Sequence, residues 1–392
     1  MAKNIFVFVV CGSKEHIDTL HFSLEYLRHF SKNKIFVLTD SSRNEIQIQH
    51  SEIIDVKTPK GYTNHQASIY LKTGIHQFVP KGNLYCYLDT DVIAVDSNCN
   101  QIFNQFIPPI IFAQDHCKVK AFSPYAINCG CFQKCETERN SFFEILSKQD
   151  KNHQLKDQKT KHKRKKLDQK IAVIQNSFLS KIIYALRYYL SFPKFWLSKD
   201  VYYNKKKRTW HSVDGNIIKY EIDVKSLAKE TNLKYTLWFN RWKNKKGEDI
   251  FNLNCNHLIE TIFETFNIEI PEKNWQHWNG GVFLFNENSS AFLDEWHRKT
   301  LEIFDNDKWK TRDQGTLIAN VWEFGLQKQP TLSKEWNFIA DFHNNSLAIS
   351  RETNTLSDDL FETTHHPKFV HVFHEWGNND WEIWEWIRSK TD

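Results

Sequence analysis

Hydrophobic and polar positions alternate in blocks along the first 115 residues. Residues 5–10 form an uninterrupted apolar run and predict a buried strand. Residues 16–30 place Ile17, Leu20, Leu24, Leu27 and Phe30 at three- and four-residue steps, the spacing of an amphipathic helix. Strands are predicted at 35–38, 53–56, 84–88 and 110–113, with a second helix at 67–78 whose Ile69, Lys72 and His76 lie near one face. Strand and helix in alternation predict an α/β fold, and open α/β sheets bind ligands beyond the carboxyl ends of their strands. Cys11, Asp40, Asp89, Asp91 and Asp115 fall at such ends and are candidates for one shared site.

The middle of the chain changes character. A basic run over 156–170 centres on Lys161-His162-Lys163-Arg164-Lys165-Lys166. An apolar and aromatic segment follows at 171–190, with Phe178, Ile182, Ile183, Leu186, Tyr189 and Leu190, and then a second cluster, Lys205-Lys206-Lys207-Arg208. This pattern reads either as a solvated loop before a core-facing helix or as a surface for anionic lipid. The α/β pattern returns at Trp278-Asn279-Gly280-Gly281-Val282-Phe283-Leu284-Phe285-Asn286, where glycines at a strand entrance admit close backbone approach. A helix at 291–303 follows, then Arg312-Asp313-Gln314, read as a helix start capped by Asp313. Further on lie Leu332-Ser333-Lys334-Glu335-Trp336-Asn337 and an apolar strand, Phe369-Val370-His371-Val372-Phe373-His374, ending at Gly377. The expected organisation is 1–135 and 272–392 as two halves of one α/β domain, with 136–271 inserted between them.

Composition narrows the class without naming a chemistry. Hydrophobic residues at 40% and charged residues at 25% are ordinary for a soluble globular chain, and the net charge of +5 is too modest to signal a nucleic-acid partner. The apolar start reads as a first strand rather than a signal peptide, and no apolar run approaches the ~20 residues of a membrane span. A cytoplasmic protein is expected, with peripheral contact at the inner face of a membrane through 156–208 as the alternative to a solvated loop there. The eight cysteines form no disulfide framework. Cys129, Cys131 and Cys135, with Cys117 nearby, lack a paired zinc spacing and read as buried thiols in preference to a metal site.

The chemistry concentrates in Leu84-Tyr85-Cys86-Tyr87-Leu88-Asp89-Thr90-Asp91-Val92-Ile93. In an extended chain Asp89 and Asp91 point the same way. Two carboxylates leaving a buried strand repel each other unless a cation lies between them, and Mg²⁺ or Mn²⁺ prefers such oxygen ligands together with phosphate. A metal–diphosphate site follows; the alternative is a solvated strand-end turn.

The order of these blocks resembles the nucleotide-sugar glycosyltransferases of the GT-A fold, most closely the retaining family 8 group of glycogenin and the bacterial lipopolysaccharide galactosyl- and glucosyltransferases. Four blocks match: the Tyr-Leu-Asp-Thr-Asp-Val-Ile strand, Asn279–Asn286, Asp313-Gln314, and the terminal strand with His then Gly; Tyr70-Leu71-Lys72-Thr73 matches as well. The resemblance implies that Asp89, Asp91 and a C-terminal histidine bind Mn²⁺ (or Mg²⁺), which bridges the diphosphate of a UDP-sugar donor. His374 has the family's His-x-x-Gly spacing to Gly377 and is the preferred ligand. His371 shares a face with Phe369 and Phe373, which favours a core role for it. Further implied are sugar contacts from Asn279, Gly280 and Gly281, catalytic positions at Asp313 and Gln314, and a charge from Lys72 toward the diphosphate; Cys11 and Asp40 are expected to contact the donor because of their strand-end placement. The acceptor would be a glycan or a lipid-linked glycan.

Two features depart from the family. Its Lys-Pro-Trp after the terminal Gly is replaced by Asn378-Asn379-Asp380-Trp381, and the middle region is far longer. Asn128-Cys129-Gly130 is a second Asn-x-Gly candidate. No second carboxylate pair suits a hydrolase, which favours transfer over hydrolysis. The rivals are a haloacid-dehalogenase-type phosphatase, for which Asp358-Asp359 lies in the wrong context, and a non-catalytic carbohydrate- or membrane-binding protein.

Overall fold

The computed structural model describes residues 3–155, 157–236, 241–344, 347–358 and 364–391. Lys156 of the basic run, Asp359 and the side chain of Phe178 lie outside the described residues. The chain divides into two compact units, residues 1–129 with 254–392, and residues 130–253.

The first unit opens with β1 (Asn4–Val9), α1 (Lys14–Phe30), β2 (Lys34–Thr39), β3 (Ile53–Asp55), α2 (Asn64–Thr73), β4 (Leu84–Leu88), β5 (Val92–Ala94), β6 (Ile110–Lys118) and α3 (Val119–Ala126). The second unit contributes α4 (Cys131–Gln149), α5 (Gln158–Asn176), α6 (Phe178–Leu190), β7 (Lys194–Ser198), β8 (Val201–Asn204), β9 (Thr209–Ser212), β10 (Ile217–Tyr220), α7 (Val224–Thr231), β11 (Lys234–Thr236) and β12 (Arg241–Lys243). The first unit then resumes with α8 (His257–Phe266), β13 (Gln276–Phe285), α9 (Ser290–Glu302), α10 (Arg312–Glu323), β14 (Phe338–Ile339), β15 (Ala348–Ser350), β16 (Thr355–Ser357), β17 (Phe369–His371) and α11 (Glu382–Arg388).

In the first unit the main sheet runs β3-β2-β1-β4-β13-β6. The first four strands are parallel, and β13 lies antiparallel to both its neighbours. Strand alternation sorts the core. Ile5, Val7 and Val9 join one apolar cluster with residues of α2, α8, α9 and α10, whereas Phe6 and Phe8 join another with Ile17, Leu20, Leu24 and Leu27 of α1. A sheet buried on both faces needs such continuous apolar strands. The small sheet β14-β17-β5 packs with α11 around Val370, Val372, Trp384 and Trp386.

Local chemistry sets the boundaries. Ser13 caps α1 by accepting from the His16 amide, and Thr63 with Gln66 forms a capping box on α2. The helix expected at 67–78 is broken at Gly74, where an added Cβ would stand 3.0 Å from Cε1 of His297. The strand expected at 110–113 continues to Lys118, so Asp115 lies within it. The main unit resumes at residue 254 because α8 buries Leu258 and Ile262 in the same cluster as Trp309.

The second unit has its own four-stranded antiparallel sheet, β10-β9-β8-β7, packed on Leu167 of α5. The basic run lies on helix α5 rather than in a loop. Among the described residues, no helix is long and apolar enough to cross a membrane.

His297 of α9 is buried against α2, its Nδ1 2.8 Å from the Thr73 hydroxyl, and burial lowers its pKa from 6.5 to about 4. The unfolded chain takes up this proton near its ordinary value and the folded chain does not, so stability is fully present above pH 6.5 and drains as pH falls toward 4. The loss is on the order of 3 kcal/mol. Urea unfolding of wild type and His297→Gln across this range should show the shallower fall in the variant; equal falls would place the proton uptake elsewhere.

Candidate active site and metal centre

The site of the first unit begins with a break in the sheet. Asn279 of β13 pairs with Ala113 of β6, yet Phe283 pairs with the adjacent Phe112, so Gly280, Gly281 and Val282 have no counterpart on β6. The Leu332 amide fills the gap by donating to the Phe112 carbonyl at 2.9 Å. The excursion carries the Gly281 backbone to the end of β4, where its carbonyl accepts from the Asp89 amide at 2.8 Å. An added Cβ on Gly281 would lie 2.7 Å from Cε1 of His371 and 3.0 Å from Oδ2 of Asp89. One on Gly280 would lie 3.2 Å from Oε1 of Gln314. Close approach thus demands glycine at 281, whereas at 280 the Gln314 side chain would have to yield by a few tenths of an ångström.

Asp89 and Asp91 converge through a turn, not through a pleat. The Val92 amide donates to the Asp89 carbonyl at 3.0 Å, reversing the chain between β4 and β5, and the Val372 amide donates to the Asp91 carbonyl at 3.0 Å. This ties the turn to the end of β17, where His371 sits. Ligand atoms of Asp89, Asp91 and His371 lie within 4.8 Å of one another. His374, preferred from its spacing to Gly377, is elsewhere. Strand β17 ends at His371, and the His374 ring packs on Phe373 at 3.9 Å and His343 at 5.4 Å. His371 does share a face with Phe369, but that face runs from the core onto Asp91.

A directed chain of amides orients His371. The Gly281 amide donates to Asn279 Oδ1 at 2.9 Å, and Asn279 Nδ2 donates to the Asp115 carboxylate at 3.0 Å. Asn279 Oδ1 also receives Asn337 Nδ2 at 3.2 Å, so Asn337 Oδ1 is the acceptor for His371 Nδ1 at 3.2 Å. With the backbone amide as a fixed donor and the carboxylate as a fixed acceptor, Nδ1 carries a proton. Nε2, 3.3 Å from Asp91, therefore presents either a second proton or a lone pair to a cation.

Lys72 is the nearest fixed positive charge. Its Nζ lies 3.2 Å from Asp89 and 3.0 Å from Asp313. Burial disfavours the ammonium, but these two carboxylates outweigh it and raise the Lys72 pKa. Burial raises the Asp89 pKa despite Lys72, aided by the nearby Asp91. In Asp91 the burial penalty is overcome by His371, and in Asp313 by Lys72, so both stay ionised at lower pH than usual. Burial opposes charge on His371, yet Asp91 and Asp89 together raise its pKa. The Tyr87 hydroxyl donates to Asp89.

The structure places the remaining sequence candidates individually. Asp313 does not cap α10; Thr311 holds that position, and Asp313 lies in the first turn facing Lys72. Gln314 uses both ends of its amide within the fold, accepting from the Gly280 amide at 2.9 Å and donating to the Trp278 carbonyl. Asp40 is buried at the end of β2, where Ser42, Thr58, Arg43 and Lys57 engage its carboxylate; its amide lies 3.4 Å from Cys11 Sγ. These contacts hold the loop after β2 and do not join Asp40 or Cys11 to Asp89. Asn128 donates to the Asp307 carbonyl instead of reaching the site.

Two residues of the site are not assigned by the sequence. Asn337 and Tyr87 stood inside segments noted for other features. Asp115, a strand-end candidate for the shared site, joins Asn279 with His116 at 3.1 Å and His277 at 3.5 Å. These partners overcome burial and hold its pKa well below the usual range.

Comparison with known proteins gives loose likenesses. No family model matches the sequence, and no curated protein matches it. Among solved structures, the apo form of mouse xyloside xylosyltransferase 1 is similar over 97% of this chain and 99% of its own, at 10% identity and a TM-score of 0.37. The apo WbbM bifunctional glycosyltransferase is similar over all of this chain, which spans 49% of WbbM, at 11% identity and a TM-score of 0.38. The glycosyltransferase GlyE of Streptococcus pneumoniae TIGR4, in its apo form, is similar over 29% of each chain, at 18% identity and a TM-score of 0.21. At these scores the likenesses decide nothing about activity.

Gly281→Ala should destabilise the fold by about 1–3 kcal/mol through overpacking against His371 and Asp89, whereas Gly61→Ala, with open space at the added Cβ, should be near neutral. Urea midpoints of the two variants make the comparison.

Proposed function

We propose that this chain is a metal-dependent glycosyltransferase of GT-A architecture. It transfers a sugar from a nucleotide-diphosphate donor, a UDP-sugar, to a glycan or lipid-linked acceptor. The observation that carries the reading is the convergence of Asp89, Asp91 and His371 at the strand ends beside Lys72. Two carboxylates and an imidazole with Nδ1 already committed form a donor set that suits Mn²⁺ or Mg²⁺. When bound, the metal offsets the charge that develops on the departing diphosphate.

The chain's own groups account for the rest. Lys72 sets a second positive charge beside Asp89, suited to the leaving group. Asn279 and Asp115, joined at 3.0 Å, offer polar atoms for sugar hydroxyls. Gln314 positions the Gly280 backbone and so the floor of the site. Asp313 stays paired with Lys72 near the sugar. Retention at the anomeric carbon and the hexosyl class rest on the sequence resemblance.

A phosphatase would need Asp89 free as a nucleophile, but Tyr87 and Lys72 engage it. Asp358 is paired with Lys334 at 3.1 Å.

The surface of the second unit suits a lipid-linked acceptor. On α6, Leu179, Ile183, Leu186 and Leu190 form one stripe and are 71%, 57%, 58% and 85% exposed. The opposite face packs Tyr184 and Tyr188 into the unit's core. Neighbouring α5 exposes Lys161, Lys163, Lys165 and Lys166. Apolar stripe and basic helix together fit an anionic bilayer surface.

Donor hydrolysis in a Mn²⁺ titration tests the active site. Asp91→Asn and His371→Ala should each lose at least about tenfold in metal response, while His374→Ala keeps the wild-type titration. Phosphate release from monoesters without donor hydrolysis would establish the phosphatase instead, and neither activity would leave a binding protein. Separately, co-sedimentation with anionic liposomes should fall when Leu186 and Leu190 become Ser or when salt is raised, with donor hydrolysis unchanged. Wild type that ignores the vesicles at low salt would end the membrane assignment.

A further inference from the structure

A second cluster of metal-ligating side chains lies apart from the Asp89 group in the first unit. Cys129 follows α3, Cys255 precedes the Asn256 N-cap of α8, and His257 is the first residue of α8. Their ligand atoms all lie within 4.8 Å of one another. The Cys129 and Cys255 sulfurs are 3.9 Å apart. That is nearly twice a disulfide bond of about 2.0 Å. It is close to the roughly 3.8 Å that separates two thiolates on one tetrahedral zinc with Zn–S bonds of about 2.3 Å.

The surroundings prepare these groups. Ser123 Oγ accepts the Leu258 amide at 2.9 Å and lies 3.0 Å from Cys255 Sγ. Its own proton is therefore available to a thiolate, the outer-shell contact expected around a metal-bound sulfur. The Cys255 amide donates to the Lys120 carbonyl at 3.1 Å, fixing this residue against α3. The sequence reading grouped Cys129 and Cys131 with Cys135 and Cys117. Folding instead gives Cys135 to the Ile250 carbonyl and Cys117 to Asp115.

We propose that Cys129, Cys255 and His257 hold a structural zinc ion. Two thiolates and an imidazole select zinc over hard cations. The site's place in the chain gives it a purpose. Cys129 and Cys255 flank residues 130–253, so a metal joining them clasps both ends of the inserted unit and shortens the loop that the unfolded chain must close. It also braces α8, whose Leu258 packs in the same cluster as Trp309 and Leu317 of α10.

Metal analysis of the full chain, purified without chelator from zinc-supplemented cells, tests the site independently of any sugar transfer. Roughly one zinc per chain is expected, retained in Cys135→Ala and reduced at least about tenfold in Cys129→Ser and Cys255→Ser. Should these variants fail to fold, Co²⁺ exchanged into the wild-type chain gives a second readout. Thiolate-to-cobalt charge transfer with intense tetrahedral d–d bands supports the site. Zinc-free wild-type protein that shows no such bands, or zinc retained in both Ser variants, overturns it.

Discussion

Lys72 is the interaction on which the rest of the site depends. It is nearly buried, comes from the last turn of α2, and lies between Asp89 at the end of β4 and Asp313 in the first turn of α10. Buried carboxylates without a partner carry a heavy desolvation penalty. One ammonium shared by two of them ties two helices to the central sheet at the point where three acidic side chains meet. Asp89, Asp91 and Asp313 set three carboxylates around the one ammonium of Lys72, and His371 Nε2 turns toward Asp91. The remaining imbalance favours a cation, and this gives the strand ends their electrostatic character independently of any likeness to other proteins.

Close packing gives the same place its shape. At Gly281 the backbone passes so close to His371, Asn279 and Asp89 that a side chain would collide. Once the backbone is there, its fixed donors dictate the orientation of Asn279 and Asn337 and, through them, the tautomer of His371. Trp296 locks the opposite side by donating from Nε1 to the Asp313 carbonyl at 2.9 Å, with its ring against Phe112 and Phe283. A large aromatic core thus serves to hold polar groups in register.

Much of the frame could be read from the chain alone. Apolar runs with a period of two and helices with three- and four-residue steps are local properties. For that reason β1, α1, β2 and β4 fall where the pattern puts them, and the Asp pair stands at a strand end. Local rules misjudged the places where a distant contact decides. The Gly74 break depends on His297, the length of β6 on its pairing with β13, and the helical state of the basic run on the packing of Leu167 into its own small core.

The sequence by itself determined which residue types were available for chemistry: paired carboxylates, a C-terminal pair of histidines, an Asn-Gly-Gly entrance and a lysine at the end of a helix. Only the tertiary structure decided which of them meet. His-x-x-Gly spacing favoured His374, but strand β17 stops at His371 and the turn of Asp89 and Asp91 is pinned there by the Val372 amide. Cys-x-Cys spacing suggested neighbours in sequence, whereas the thiol brought beside Cys129 lies 126 residues further along the chain. Spacing records covalent proximity, while a ligand set is made by side chains that long-range packing brings within a few ångströms. That difference separates what the sequence determined from what only the fold could.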